Sequence, residues 1–332
     1  MTLRHTLILL ATSAALALSA AAVFTLTART TNPTPERIYL PSPTSYQALT
    51  DSLHAHHLID RHQAALSLLA RTAGLHSHIA PGSYLVAPRT PLPALARTLA
   101  RGQQTPIRLT LGKFRTPDQL NHYLNLHLMA DSFAIPLDSL HLIRPDTYEL
   151  YWTTAPEVFL RRMHREYDRF WSRPAAGTST PRADLLKSLH PALTAEQAII
   201  LASIIEEETN NAQEKPLIAS VYLNRLSHGI PLQADPTVKY AVGDFTLRRI
   251  LAAHLHTPSP FNTYLHPGLP PAPICTPSAS SVDALLAAPA TPYLYFCASP
   301  AMDGTHRFAA TLTQHQHNAA LFHAALNRRG IH

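Results

Sequence analysis

An unbroken apolar run opens the chain, and amphipathic strings of helical period and short alternating strings follow it, each pattern predicting its own element. From Thr6 to Ala28 no side chain is charged, and Leu7, Leu10, Leu16, Leu18, Val23, Phe24 and Leu26 leave no polar face. At about 1.5 Å per residue these roughly 23 residues span about 34 Å, enough for the hydrocarbon core of a bilayer. A retained membrane anchor is the expectation. The alternative is a cleaved signal peptide, with Ser19-Ala20-Ala21-Ala22 as small residues for cleavage. Either way the remainder is exported. Arg4 fits an inside N-terminus, although Arg29 follows the apolar run directly.

Thr30 to Pro43, with Pro33, Pro35, Pro41 and Pro43, reads as a stiff tether entering a short strand at Arg37–Leu40. Helical spacing covers Tyr46–Leu58 and His62–Thr72, Gly74 closing the second, and Gly82–Val86 is another strand. The order strand, helix, helix, strand predicts a small α+β module of the LysM-like kind that binds extended glycans, with a packing spacer as the other reading. A helix at Pro93–Ala100 stops at Gly102, a strand covers Pro106–Leu111, and Thr116 caps a helix through Met129. Arg144–Leu150 is a turn into a strand, and Val158, Phe159, Met163, Tyr167 and Phe170 form a core-facing stripe. Pro174–Arg182 is a loop.

Thr194-Ala195-Glu196-Gln197 is a capping box, and the apolar residues from Ala198 to Ile205 predict a helix buried on every side. That helix ends in Glu206-Glu207-Glu208-Thr209. Carboxylates at a helix C-terminus oppose the macrodipole by about 0.3–1 kcal/mol each when exposed, and three in a row also repel one another. Successive residues point about 100° apart, so the three carboxylates occupy different surroundings. One in an apolar cleft would have the raised pKa a general acid needs; a solvated acidic helix end is the plain alternative. A helix at Pro216–Ser227, an extended stretch at Leu232–Val238, a polar loop at Ser259–Tyr264, a strand at Tyr293–Ala298 and a helix near Thr313–Arg328 complete the chain.

Composition narrows the function. The chain has 332 residues, 46% hydrophobic and 14% charged, with a formal net charge of +6. That is ample for a buried core and about two domains, and excludes disorder and coiled-coil arrays. The basic excess is almost all arginine, without zinc-finger spacing or an aromatic-interleaved basic run, so nucleic acid is not the expected partner. The balance reads as surface composition, or as attraction to an anionic membrane or wall polymer. The scattered histidines form no metal motif, and Cys275 and Cys297 leave a disulfide open.

The strings Ala202–Thr209, Ala219–Leu226, Leu232–Val238, Phe261–Tyr264, Gly268–Ile274 and Tyr293–Phe296, with His306 and Phe308, together resemble the YceG-like family of endolytic murein transglycosylases. The resemblance implies an α+β chain in three parts: anchor at 1–29, tether and LysM-like module at 30–103, and YceG-like catalytic domain at 104–332. It implies cleavage between N-acetylmuramic acid and N-acetylglucosamine, leaving 1,6-anhydro ends, with neither metal nor cofactor. The family's catalytic glutamate is carried onto Glu206, and Glu208, Asn224, Gln233, Asp235, Asn262 and Tyr264 match motifs that hold sugar or support loops. Peptidoglycan strands are the implied substrate and the wall-synthesis machinery, including penicillin-binding proteins, the implied partner, at the outer face of the bacterial inner membrane.

The chain departs from the family at Arg144, Glu207, Ala272 and Gln316, where the family usually has an aromatic, a lysine, a glycine and an asparagine. A carboxylate at Glu207 is expected to raise the pKa of Glu206 if the two are close. A muramidase-type hydrolase and a non-catalytic wall-binding anchor are the competing functions. Aminodeoxychorismate lyase, a label sometimes attached to the family, needs a pyridoxal phosphate lysine, and none of Lys113, Lys187, Lys215 and Lys239 has that context.

Overall fold

A computed structural model describes residues 3–247 and 249–329. They form two compact units, the first running to Leu109 and taking in His127–Asp131 and Tyr148–Thr154, the second comprising Thr110–Leu126, Ser132–Thr147 and the chain from Ala155 on.

The first unit begins with α1 (Leu3–Thr27), whose apolar window from His5 to Thr27 is long enough to cross a membrane. Then come β1 (Glu36–Leu40), α2 (Tyr46–Ala55), α3 (Gln63–Ala73), β2 (Gly82–Val86) and α4 (Leu92–Arg101). β1 and β2 pair antiparallel, Ile38 opposite Tyr84, and alternation turns Ile38, Leu40, Tyr84 and Val86 inward onto Leu49, Leu53, Leu66 and Leu99. Ser45 caps α2 through the Ala48 amide at 3.1 Å, and α2 ends three residues before the expected Leu58, where His57 turns the chain at φ 52°. Gly102 ends α4 at φ 65°, and a Cβ there would stand 3.0 Å from Cβ of Ala80.

The expected tether is corrected at its start. Ala28 accepts from the Leu92 amide at 3.0 Å, Thr30 donates to Thr90 at 2.9 Å and Thr31 to Leu58 at 3.0 Å, so the chain leaving α1 is bonded into the module. These backbone groups find protein partners instead of water. β3 (Ile107–Leu111) pairs with β4 (Asp146–Leu150), with α5 (Pro117–His127) between them in sequence.

In the second unit α6 (Pro156–Ser172) and α7 (Arg182–Lys187) precede the central helix α8 (Ala195–Glu208). The capping box at Thr194 and Gln197 is formed, and Ala198 to Ile205 are buried all round. α8 is enclosed by α7, α9 (Lys215–Ser227), α10 (Asp235–Val242) and α11 (Ala279–Leu286). Its one core hydroxyl, Ser203, donates to the Ile200 carbonyl at 2.7 Å and accepts from the Ile274 amide at 3.0 Å, so burial leaves it satisfied. β5 (Tyr295–Ala298) and β6 (His306–Ala309) form an antiparallel hairpin beside α12 (Leu312–Arg328).

Three points are decided here. Leu232–Ala234 is irregular, with Gln233 at φ 51°, and α10 starts at Asp235 because Pro236 loses no amide bond in a first turn and the Asp235 carboxylate favours that helix end. The unforeseen α11 is announced by its cap Ser278, which accepts from the Ser281 amide. Both cysteines are free thiols, Cys275 buried in the core.

Candidate active site

The three carboxylates ending α8 diverge, as their helical spacing requires. Glu206 is bound by Lys215 Nζ at 3.1 Å, by Ser278 Oγ at 2.7 Å and by the Ser281 hydroxyl. Lys215 is itself buried at the first turn of α9 and also donates to Ser281 Oγ at 2.7 Å. Burial raises the Glu206 pKa, but the Ser281, Ser278 and Lys215 hydrogen bonds and the Lys215 charge outweigh it and leave the carboxyl below its ordinary value. Glu207 turns to Lys113 Nζ at 2.7 Å and Arg115 Nη2 at 2.9 Å, which overcome its burial in the same way. Its charge is therefore compensated locally, and the expected upward push on Glu206 does not arise.

Glu208 has the opposite surroundings. Burial pushes its pKa up to about 7; the hydrogen bond from the Tyr222 hydroxyl works against this, the nearby Asp235 charge adds to it, and Lys239 opposes it. Three adjoining clefts, of 360, 680 and 850 Å³, each include Glu208, and none of them includes Glu206. The carboxyl is thus enclosed enough to hold a proton near neutrality and open enough to meet a ligand.

Around it the smallest cleft gathers Tyr222, Arg225, Gln233, Asp235, Tyr264 and Tyr295. Arg225 fixes three pieces of this wall: Nε donates to Pro231 O at 2.8 Å, Nη1 to Leu294 O at 2.9 Å and Nη2 to Gln233 Oε1 at 2.5 Å. Gln233 adopts φ 51°, a left-handed backbone held by its amide bond to Thr263 O at 3.1 Å. Tyr264 Oη donates to Asp235 Oδ1 at 2.7 Å, and burial followed by the Asp235 charge raises the Tyr264 pKa. Planar amide, guanidinium, carboxylate and aromatic faces on one wall are suited to hydroxyls and acetamido groups.

The site residues expected from sequence therefore separate. Glu208, Gln233, Asp235 and Tyr264 meet in the cleft, whereas Glu206 lies outside it in a lysine and serine cage. Asn224 donates to the carbonyls of Thr291 at 2.7 Å and Tyr293 at 2.8 Å, anchoring the strand before β5. Asn262, fully buried, donates to Leu255 O at 2.9 Å and Thr257 O at 3.0 Å and shapes its loop. Tyr222 and Arg225 were legible as members of a helix pattern but not as site residues, because their partners lie outside that helix. Glu214 was not singled out from the sequence; it accepts from the His306 amide and meets His306 Nδ1, both at 2.8 Å, and so fastens β6 to the start of α9. Among the described residues no group of three or more His, Cys, Asp or Glu is placed to hold a metal.

Comparison with known proteins places the chain in a family. The model of the YceG-like family matches residues 38–321. An endolytic murein transglycosylase of Bacillus subtilis is 43% identical over 128 residues, which are 39% of this chain and 33% of that protein. One from Streptococcus pneumoniae is 28% identical over 180 residues, 53% of this chain and 31% of the relative. The matches thus span about a third of these relatives' length. The crystal structure of a YceG-like protein from Listeria monocytogenes shares the fold, with a TM-score of 0.51 and 23% identity over 86% of this chain and 99% of that one.

Proposed function

The chain belongs to the YceG-like family, and on that premise we propose that it is a membrane-anchored lytic transglycosylase that cuts peptidoglycan strands internally. The observation that carries this reading is Glu208: a carboxyl that burial raises to about 7, in a polar cleft, with a tyrosine hydroxyl ready to stabilise its ionised form. The acid and base roles carried onto Glu206 from sequence belong on this reading to Glu208, since a carboxylate caged by Lys215, Ser278 and Ser281 has no proton to give near neutrality.

Protonated Glu208 donates to the oxygen leaving C1 of the muramic residue as that bond breaks. The resulting carboxylate, held by the Tyr222 hydroxyl, takes the proton of the muramic 6-hydroxyl, whose oxygen bonds to C1. The 1,6-anhydro ring closes, the proton count is restored and no water is consumed. Asp235, tied to Tyr264, keeps a negative charge close by and so favours the protonated form of Glu208 at the start. Arg225 and Gln233 hold the wall against which the sugars lie.

In this reading α1 anchors the chain in the inner membrane, the strand-helix-helix-strand module binds glycan, the catalytic unit faces the wall, and penicillin-binding proteins of the synthesis machinery are partners. Asp235 also supports a second reading, a muramidase-type hydrolase with two cleft carboxylates. Digestion of purified peptidoglycan in H2(18)O separates the two by mass spectrometry. Anhydro ends without label are expected; labelled reducing ends alone would replace the transglycosylase by the hydrolase.

A further inference from the structure

Packing and hydrogen bonds tie the end of α1 to the rest of the first unit. Its end packs on α3 and α4, the Phe24 ring lies 5.8 Å from that of His62, and the next residues are hydrogen-bonded to Leu58, Thr90 and Leu92. Where the apolar window stops at Thr27, a cleft of 670 Å³ is lined by Thr27, Arg29, Asp60, Arg61, His62 and Arg89. Three guanidinium groups face a single carboxylate there, and Asp60 is engaged by His57 Nδ1 at 3.1 Å and His54 Nδ1 at 3.8 Å. Arg29 Nη1 donates to Arg89 O at 3.2 Å. Among the described residues the Arg61 and Arg89 side chains have no hydrogen-bond or ion-pair partner, and the buried His62 Nδ1 has none either. Arg89 stands in this position at φ 55°, a left-handed backbone that an arginine rarely takes.

We propose that this cleft seats the phosphate of an anionic phospholipid headgroup. Guanidinium donors match phosphate oxygens in geometry as well as charge. The inference rests on α1 spanning a bilayer. Given that, the end of the apolar helix puts Arg29 at headgroup depth, with Arg61 and Arg89 lining the same cleft and the Arg89 carbonyl accepting from Arg29 Nη1. Basic clusters at that depth attract anionic lipid. Bound lipid would fix the first unit on the membrane surface, which a flexible linker after the anchor could not do.

The test places the full chain in nanodiscs of phosphatidylcholine containing phosphatidylglycerol and measures retained lipid by native mass spectrometry. Phosphatidylglycerol should be retained preferentially, with preference falling roughly fivefold for each of Arg61→Gln and Arg89→Gly. Glycine is at ease at φ 55°, so Arg89→Gly removes the cation without straining the turn, and an unchanged denaturation midpoint of the purified chain verifies that fold. Equal retention of both lipids by inserted chain overturns the site. So does arginine-dependent binding of inorganic phosphate unaccompanied by lipid preference, which identifies a free-phosphate site. A chain that does not enter phosphatidylcholine discs overturns the anchor reading and this site with it.

Discussion

In α1 Leu9, Leu16 and Leu18 are 56%, 71% and 72% exposed, while in α8 Leu201, Ile204 and Ile205 are 0% exposed, although neither helix has a polar face. α1 runs 25 residues with no acidic first turn, and its window from His5 to Thr27 is long and apolar enough to cross a membrane. α8 has 14 residues, a capping box at its start and three carboxylates at its end, and four helices of its own unit surround it. An all-round apolar pattern thus requires burial without choosing the medium. Length and the chemistry of the two ends tell them apart: α1 is long enough for a bilayer and is followed by Arg29, whereas α8 lies in a protein core and ends at a carboxyl-lined cleft.

The strongest test of this contrast is at the end of α8. Glu208→Gln should lower glycan cleavage by about 10²–10⁴-fold, the range for losing a general acid-base group. Glu206→Gln should keep the rate within about tenfold while destabilising the unit by about 1–3 kcal/mol, because Lys215 loses its buried partner. The reverse pattern in a digestion assay returns the acid-base role to Glu206. Leu201→Ala should cost about 2–5 kcal/mol in chemical denaturation, as expected where a fully buried side chain is cut back.

Leu16→Arg should oppose insertion by about 2.5–3.5 kcal/mol, read as a shift from membrane to soluble fractions, with the denaturation midpoint of the catalytic unit unmoved. If instead it lowers that midpoint, α1 and α8 do not live in separate media. The smallest effect concerns pH. Activity that begins with protonated Glu208 should decline above about 7. Tyr222→Phe removes a hydrogen bond to the ionised form, so the alkaline limb should move up by about one pH unit. Asp235→Asn removes a negative neighbour, and the limb should move down.

Most helices were legible because apolar spacing and caps are local: Thr194 with Gln197, Ser45, Gly74 and Gly102 mark their ends. α10 was hidden by reading the polar string Leu232–Val238 as extended, although Pro236 in the first turn and Gly243 after the last are helix signals. β6 has four residues and too short a pattern to stand out before it pairs with β5. The bonded start of the expected tether was invisible because its partners, Leu58, Thr90 and Leu92, lie far along the chain.

By itself the sequence determined that a capped, wholly apolar helix ends in three carboxylates, and that helical geometry must point them different ways. Only the tertiary structure decided which way is which. Glu206 meets Ser278 and Ser281, 72 and 75 residues on, and Glu207 meets Arg115, 92 residues back, while Glu208 is left to Tyr222 and the cleft. The proton affinity of a carboxyl depends on burial, nearby charge and hydrogen bonds, and folding brings those in from segments that local patterns do not connect.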